Sequence, residues 1–181
     1  WIKRKPVVDV IRGDIPYRLL FTGQHLDILD SIDEEVTRLE VSDGANRLDS
    51  IVQSMMNQEE IFEEITSIFV QGDTSSVFAM ALAAFHRGIK IIHLEAGLRT
   101  YNKSHPYPEE FNRRAVSCMA DIHFCPTQKA MDALHAENIF ENVYLVGNTV
   151  LDNLSGIETE YGDEVIITLH RRENHDSMDV W

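Results

Sequence analysis

The sequence predicts an α/β domain built on a doubly wound, Rossmann-like parallel sheet. Two observations carry that expectation. Short β-branched runs alternate with stretches of helical periodicity, and polar clusters stand directly after the strand-like runs. Strands separated by helical stretches of roughly 10–15 residues imply βαβ units, whose strands run parallel.

Taken in order, Tyr17–Thr22 reads as a strand. Asn46–Glu64 reads as a helix, with Leu48, Ile51, Met55, Ile61 and Phe62 near helical spacing. Ser67–Gln71 has the run of a buried strand, followed by a helix from Ser75 to Arg87. Lys90–Leu94 is the next strand, Glu109–Ala120 a helix, Ile122–Cys125 a strand, Gln128–Glu137 a helix and Val143–Val146 a strand. Beyond the polar stretch Ser155–Asp163, Val165–Leu169 reads as a strand running into His170-Arg-Arg-Glu-Asn174. The composition shift over Asn153–Asp163 marks a candidate domain boundary, and the segment beyond it, one strand and about a dozen further residues, is too short for a core of its own. The chain is expected to begin after an opening strand and to end at the start of a second domain.

Composition narrows the function. Apolar residues make up 44% and charged residues 25%, a globular balance and not that of a disordered chain. Lys and Arg number 16 against 30 Asp and Glu, and a net charge of −14 repels a phosphate backbone, so no nucleic-acid partner is expected. The longest near-unbroken apolar run, Val77–Phe85, is far short of the roughly 20 residues that span a bilayer, so no membrane helix is expected. The opening Trp1-Ile-Lys-Arg-Lys-Pro6 lacks the apolar core of a secretory signal. Cys118 and Cys125 form neither a CxxC pair nor a disulfide framework. Both are expected to be small buried hydrophobes in a chain of the reducing cytoplasm.

Ligands of doubly wound sheets bind at the carboxyl ends of the strands, so the polar residues there carry the functional argument. After Gln71 comes Gly72-Asp73-Thr74-Ser75-Ser76, where glycine permits a close turn and the hydroxyls and amides suit an anion. Asp73 or a neighbouring hydroxyl would serve equally as a plain helix cap. The strand ending in His93-Leu94 runs into Glu95-Ala-Gly-Leu-Arg-Thr100, in which Glu95 and Arg99 suit a ligand-facing loop or pair with each other. His93 alternates inward and reads as a core histidine. In Pro106-Tyr-Pro-Glu-Glu-Phe-Asn-Arg-Arg114, Pro108 suits a first helical turn, and Glu109 and Glu110 suit the positive end of the helix dipole. Capping does not explain why a third acidic site stands beside two others. Should Asp73, Glu95 and Glu109 converge, they would supply paired acid and base roles.

His170-Arg171-Arg172-Glu173 places an imidazole and two guanidiniums at a strand end, good chemistry for a diphosphate. The spacing of His170, Glu173 and His175 is one residue longer than the inverted zinc motif, so no metal is expected. No G-x-G-x-x-G occurs, which leaves a nicotinamide or flavin without a fingerprint. Thr22-Gly-Gln-His25 and Gly147-Asn-Thr149 each come after a strand and fit turn chemistry as well.

Together the clusters resemble one family, the non-hydrolysing UDP-N-acetylglucosamine 2-epimerases. The matching strings are TGQH (Thr22–His25), GDT (Gly72–Thr74), HLEAGLRT (His93–Thr100), PEEFNR (Pro108–Arg113), GNTVLD (Gly147–Asp152) and HRREN (His170–Asn174). Each is weak alone, and their common order is what makes them specific. The resemblance implies two Rossmann-like domains facing each other across a cleft, the glycosyltransferase-B-like architecture. Residues 1–153 would form the N-terminal domain and 154–181 the start of the nucleotide-binding one. The family's opening G-T-R-P-E-type segment has no match here.

The resemblance further implies inversion at the acetamido-bearing carbon to give UDP-N-acetylmannosamine, without NAD or metal. Asp73, Glu95 and Glu109 match the family's acid/base candidates, and His170 its histidine near the diphosphate. Arg99, Asn112, Arg113 and Arg171 fall at substrate-binding positions, and Gln24 and His25 at a regulatory substrate site. A UDP-sugar substrate and a homodimer are implied as partners. A hydrolysing epimerase, a glycosyltransferase of like architecture and a non-catalytic UDP-sugar-binding protein are the alternatives.

Overall fold

Alternation along each strand decides which side meets the core. In Ser67–Gln71 (β3), Ile68 and Val70 are buried while Ser67 and Phe69 are exposed, so one face of the strand packs inward. The structure is a computed structural model that describes residues 3–22, 32, 34–42, 44–154, 156–158, 160 and 162–165. Before β3 come helix α1 (Lys5–Ile11), strands β1 (Leu19–Phe21) and β2 (Val36–Arg38), and helix α2 (Arg47–Asn57). After it come α3 (Ser75–His86), β4 (Lys90–Leu94), α4 (Glu109–Met119), β5 (Ile122–Cys125), α5 (Gln128–Ala136) and β6 (Val143–Leu145).

All described strand pairs are parallel. β1 pairs with β2, and a four-stranded sheet runs β3-β4-β5-β6. Its register sets Gln71 beside Leu94 and Leu94 beside Phe124. The residues just beyond β3 and β4 therefore emerge at one rim. This is the Rossmann-like α/β fold the sequence predicts, parallel sheets with flanking helices.

Three of the helices start where the sequence offers a polar cap. Asn46 Oδ1 accepts the Leu48 amide at the start of α2, Thr74 Oγ1 the Val77 amide at α3, and Thr127 Oγ1 the Ala130 amide at α5. α3 presents Ala79, Ala81, Ala83 and Ala84, all fully buried, so α2 and α4 close against it. With Ile51, Met55, Ile68, Val70, Met80, Ile91 and Val116 these alanines form the main core. A smaller cluster of Ala96, Cys125, Ala130 and Leu134 lies under α5.

The differences from the sequence reading have local causes. The expected helix Asn46–Glu64 stops at Asn57, and a 3₁₀ turn occupies Glu60–Phe62. Four acids, Glu59, Glu60, Glu63 and Glu64, would oppose the dipole at a helix C-terminus there. Gln58 instead turns back to donate to Ser54 O and Glu40 O. α1 and β2 escaped the sequence reading because they are short and bury little, with Val8 the one buried residue of α1. Cys118, expected to be buried, is exposed, because α4 turns Asn112, Val116 and Ser117 inward and leaves position 118 outside. Cys125 is buried as expected, and burial pushes its thiol up to about 11. Val165 carries no strand, and the remainder of the expected Val165–Leu169 strand lies outside the described residues.

Candidate active site

The turn after β3 is fixed by its neighbour strand. Gly72 adopts a left-handed φ of 79°, and its N–H donates to Leu94 O at 3.1 Å. Its carbonyl accepts Nε2–H of His93 at 2.9 Å. Burial lowers His93 to about 4, so the imidazole is neutral at pH 7 and donates from one nitrogen. The peptide leading to Asp73 is thus gripped from both sides by β4. Capping of α3 falls to Thr74, which leaves the Asp73 carboxylate for another partner. Arg113 of α4 supplies it, donating from Nε at 3.0 Å and also from Nη2. One residue earlier, Asn112 Nδ2 donates to Asp73 O at 2.9 Å.

Glu95 leaves β4 in the left-handed region, with φ 59°. Its Oε1 meets Lys3 Nζ at 2.7 Å and accepts from Gln71 Nε2 at 3.5 Å. Its Oε2 hangs over Gly72, 3.7 Å from where a Cβ would stand on that residue. Glu109 occupies the first turn of α4, behind Pro108, and its Oε2 is shut off from solvent without a hydrogen-bond partner among the described residues. A buried carboxylate oxygen left unpaired is uncommon and costly, and it marks a group placed for something other than packing. The first turns of α4 are bound to Asp73 through Asn112 and Arg113, while Glu95 lies over the turn that presents Asp73. Hydrogen bonds and this close approach therefore tie the three acidic positions to one rim of the sheet.

Arg99 is spent elsewhere. Its guanidinium, 1% exposed, donates to both Glu137 oxygens at 2.8 and 2.7 Å and to Ser117 Oγ at 2.9 Å. Those bonds hold the Glu137 carboxyl below the usual carboxylate range. The Glu95–Arg99 pair considered from the sequence does not form. Arg99 instead ties the loop after β4 to α4 and to the end of α5.

A family model described as UDP-N-acetylglucosamine 2-epimerase matches residues 11–180. The chain belongs to the UDP-N-acetylglucosamine 2-epimerase family. It is 35% identical to the UDP-N-acetylglucosamine 2-epimerase of Salmonella borreze, over 98% of this chain and 55% of the relative. It is 34% identical to that of Campylobacter jejuni, over 96% of this chain and 54% of the relative. The crystal structure of the Neisseria meningitidis enzyme bound to UDP-GlcNAc superimposes with a TM-score of 0.76 at 32% identity, covering 86% of this chain and 48% of that one. The chain spans about half the length of the curated relatives it matches.

Within this member of the family, Gln24, His25, His170 and Arg171 lie outside the described residues. A polar cavity of about 660 Å³ opens beside Thr22, with Arg38, Ser42, Arg47 and Ser50 in its walls. Among the described residues no cluster of three or more His, Cys, Asp or Glu is arranged to hold a metal ion, and no helix is long and apolar enough to cross a membrane. Sequence reasoning missed two residues of the candidate site. Lys3 carries no signal because its partner Glu95 is remote in sequence. Glu110, read only as a dipole acid beside Glu109, is fully buried and bound to the loop that precedes α4.

Proposed function

We propose that the full-length protein is a non-hydrolysing epimerase that interconverts UDP-N-acetylglucosamine and UDP-N-acetylmannosamine by elimination and re-addition of UDP. The observation that supports this reading best is that the turn after β3, which carries Asp73, is approached by Glu95 and bonded to the first turns of α4, the helix that begins at Glu109. In the forward step a carboxylate takes the proton on carbon 2, the anomeric C–O bond breaks, and a carbon–carbon double bond forms as UDP departs. In the return step UDP re-adds at the anomeric carbon and a second acid delivers a proton to the opposite face of carbon 2. The sequence is redox-neutral, so side-chain acids and bases can supply its proton transfers.

Asp73, Glu95 and Glu109 are the acid/base residues in this reading, and His170 with Arg171 stabilises the departing diphosphate. Asn112 and Arg113, first considered for substrate binding, hold Asp73 in place from α4. Arg99, first considered for substrate binding, acts as a brace. Gln24 and His25 belong to a regulatory substrate site. The enzyme works as a cytoplasmic homodimer and supplies an activated amino sugar for surface polysaccharide.

The test is to incubate the full-length protein with UDP-N-acetylglucosamine in deuterated water. Solvent deuterium at carbon 2 of both epimers is the expected result. Complete retention of the original hydrogen refutes the elimination route. Release of free N-acetylmannosamine with UDP assigns the hydrolysing reaction instead, and consumption of UDP-sugar only in the presence of an acceptor assigns a transferase.

A further inference from the structure

Glu110 stands out among the charged groups for which the proposed reaction has no direct use. Its side chain is fully buried, yet both of its oxygens are satisfied. One carboxylate oxygen accepts the Thr100 N–H at 2.9 Å and the other the Tyr101 N–H at 2.9 Å. The first oxygen also faces Arg113 Nη1 at 3.4 Å. Those two amides belong to the loop that leaves Glu95 and returns as α4 at Glu109. Tyr101 sits in the left-handed region with φ 58°, a backbone conformation that costs energy for a bulky residue. The carboxylate bonds at that point offset such strain. The loop is closed from below as well, with Thr100 Oγ1 donating to His105 O at 2.7 Å and the Glu110 N–H to Pro106 O at 3.2 Å.

The same guanidinium that faces Glu110 holds Asp73. Arg113 turns Nη1 to Glu110 and gives Nε and Nη2 to Asp73, so one cation is stretched between a buried acid and a rim acid. The planar fork of arginine fixes the angle between its two partners in a way an ammonium does not. Glu110 therefore sits where the lines to all three acidic positions meet. It adjoins Glu109 on α4, pins the loop that begins at Glu95, and orients the guanidinium on Asp73.

We propose that Glu110 is a positioning residue for the epimerisation, setting the geometry of the acids through the loop amides and Arg113 without touching the sugar. The inference rests on the functional reading above. Its chemistry is acceptor-only: a buried carboxylate serves two N–H groups and a guanidinium at once, whereas an amide oxygen serves one side and presents hydrogens to the other.

The test is a double-mutant cycle on kcat in the full-length protein, with deuterium entry at carbon 2 as the sensitive readout. Glu110→Gln is expected to lower kcat about tenfold or more while KM for UDP-N-acetylglucosamine stays within about threefold, the signature of misplaced reacting groups. In an Asp73→Asn background the same change should cost at least about threefold less than in wild type, since the part carried through Arg113 is lost while the part carried through the loop amides remains. Arg113→Lys serves as a second variant should Glu110→Gln not fold. It keeps the charge on Asp73 but gives up the fork, and should reproduce the fall in kcat. Equal losses in both backgrounds, or a rise in KM at constant kcat, overturn the positioning role while the epimerase stands. A wild-type protein inactive on UDP-N-acetylglucosamine overturns the functional reading and this role with it.

Discussion

Replacing Arg99 by methionine separates a brace from a ligand contact. The substitution keeps much of the aliphatic stem but deletes the guanidinium donors to Glu137, Ser117 and the Leu98 carbonyl. Removing one partner of a buried ion pair costs about 3–5 kcal/mol when the other charge is left stranded. Glu137 is 21% exposed and recovers some solvation from water, which puts the cost near the lower limit, about 3 kcal/mol. At about 2–4 °C per kcal/mol for a domain of this size, the melting midpoint should fall by about 6–12 °C. The loss has a pH signature. Arg99 depresses the folded-state titration of Glu137, so the pair's contribution is complete above the ordinary carboxylate range and disappears as pH falls through the lowered value. The stability gap between wild type and variant should therefore narrow as pH falls below the ordinary glutamate value of about 4.3. Thermal unfolding of the full-length protein from pH 3 to 8 reads both effects, and steady-state kinetics should show an unchanged KM. An unaltered midpoint together with a large rise in KM would refute the reasoning and return Arg99 to the substrate.

Other expectations rest on single sites. Asp73→Asn, Glu95→Gln and Glu109→Gln should each lower turnover about 100-fold or more, the range of general acid–base catalysis, measured as interconversion of the two epimers. Gly97→Ala should fold poorly, since its Cβ would stand 2.1 Å from Ala130 O at a φ of 84°; soluble yield and melting temperature check it. Stability should rise with pH between about 4 and 6.5, where the unfolded chain protonates His93 and the folded one does not. His93→Gln should flatten that slope in urea titrations. Native maleimide labelling mapped by mass spectrometry should modify exposed Cys118, and Cys125 only after denaturation.

The sheet was legible because its strands obey the rule that makes a sequence readable. β3, β4 and β5 carry short β-branched or aromatic runs bounded by glycine or polar residues, and their observed limits match the expected ones. α3 was legible from its hydroxyl cap and alanine run. β2, with Val36, Thr37 and Arg38 largely outside the core, had no apolar pattern to read. Cys118 failed for a different reason: membership of a helix is visible in local sequence, but which side of it faces the core depends on where α3 lies. The acids could be found as polar residues after strands, a place defined by topology alone. Their partners could not, because Arg113 stands 40 residues from Asp73 and Arg99 stands 38 from Glu137.

Long-range contacts make three similar acids different from one another. In the sequence Asp73, Glu95 and Glu109 are three alike carboxylates at three alike positions. In the folded chain Asp73 is clasped by a guanidinium, Glu95 faces an ammonium on a lysine side chain that is 51% exposed, and Glu109 Oε2 has no partner among the described residues. A reaction that removes a proton from one face of a carbon and returns one to the other needs acids that are not interchangeable. If the three neighbours supply that distinction, the amide variants should fail differently. Loss of a residue that acts on one epimer alone should block deuterium entry into that epimer from its own side while leaving exchange in the other. Identical patterns from all three variants would mean the environments differ without the roles differing.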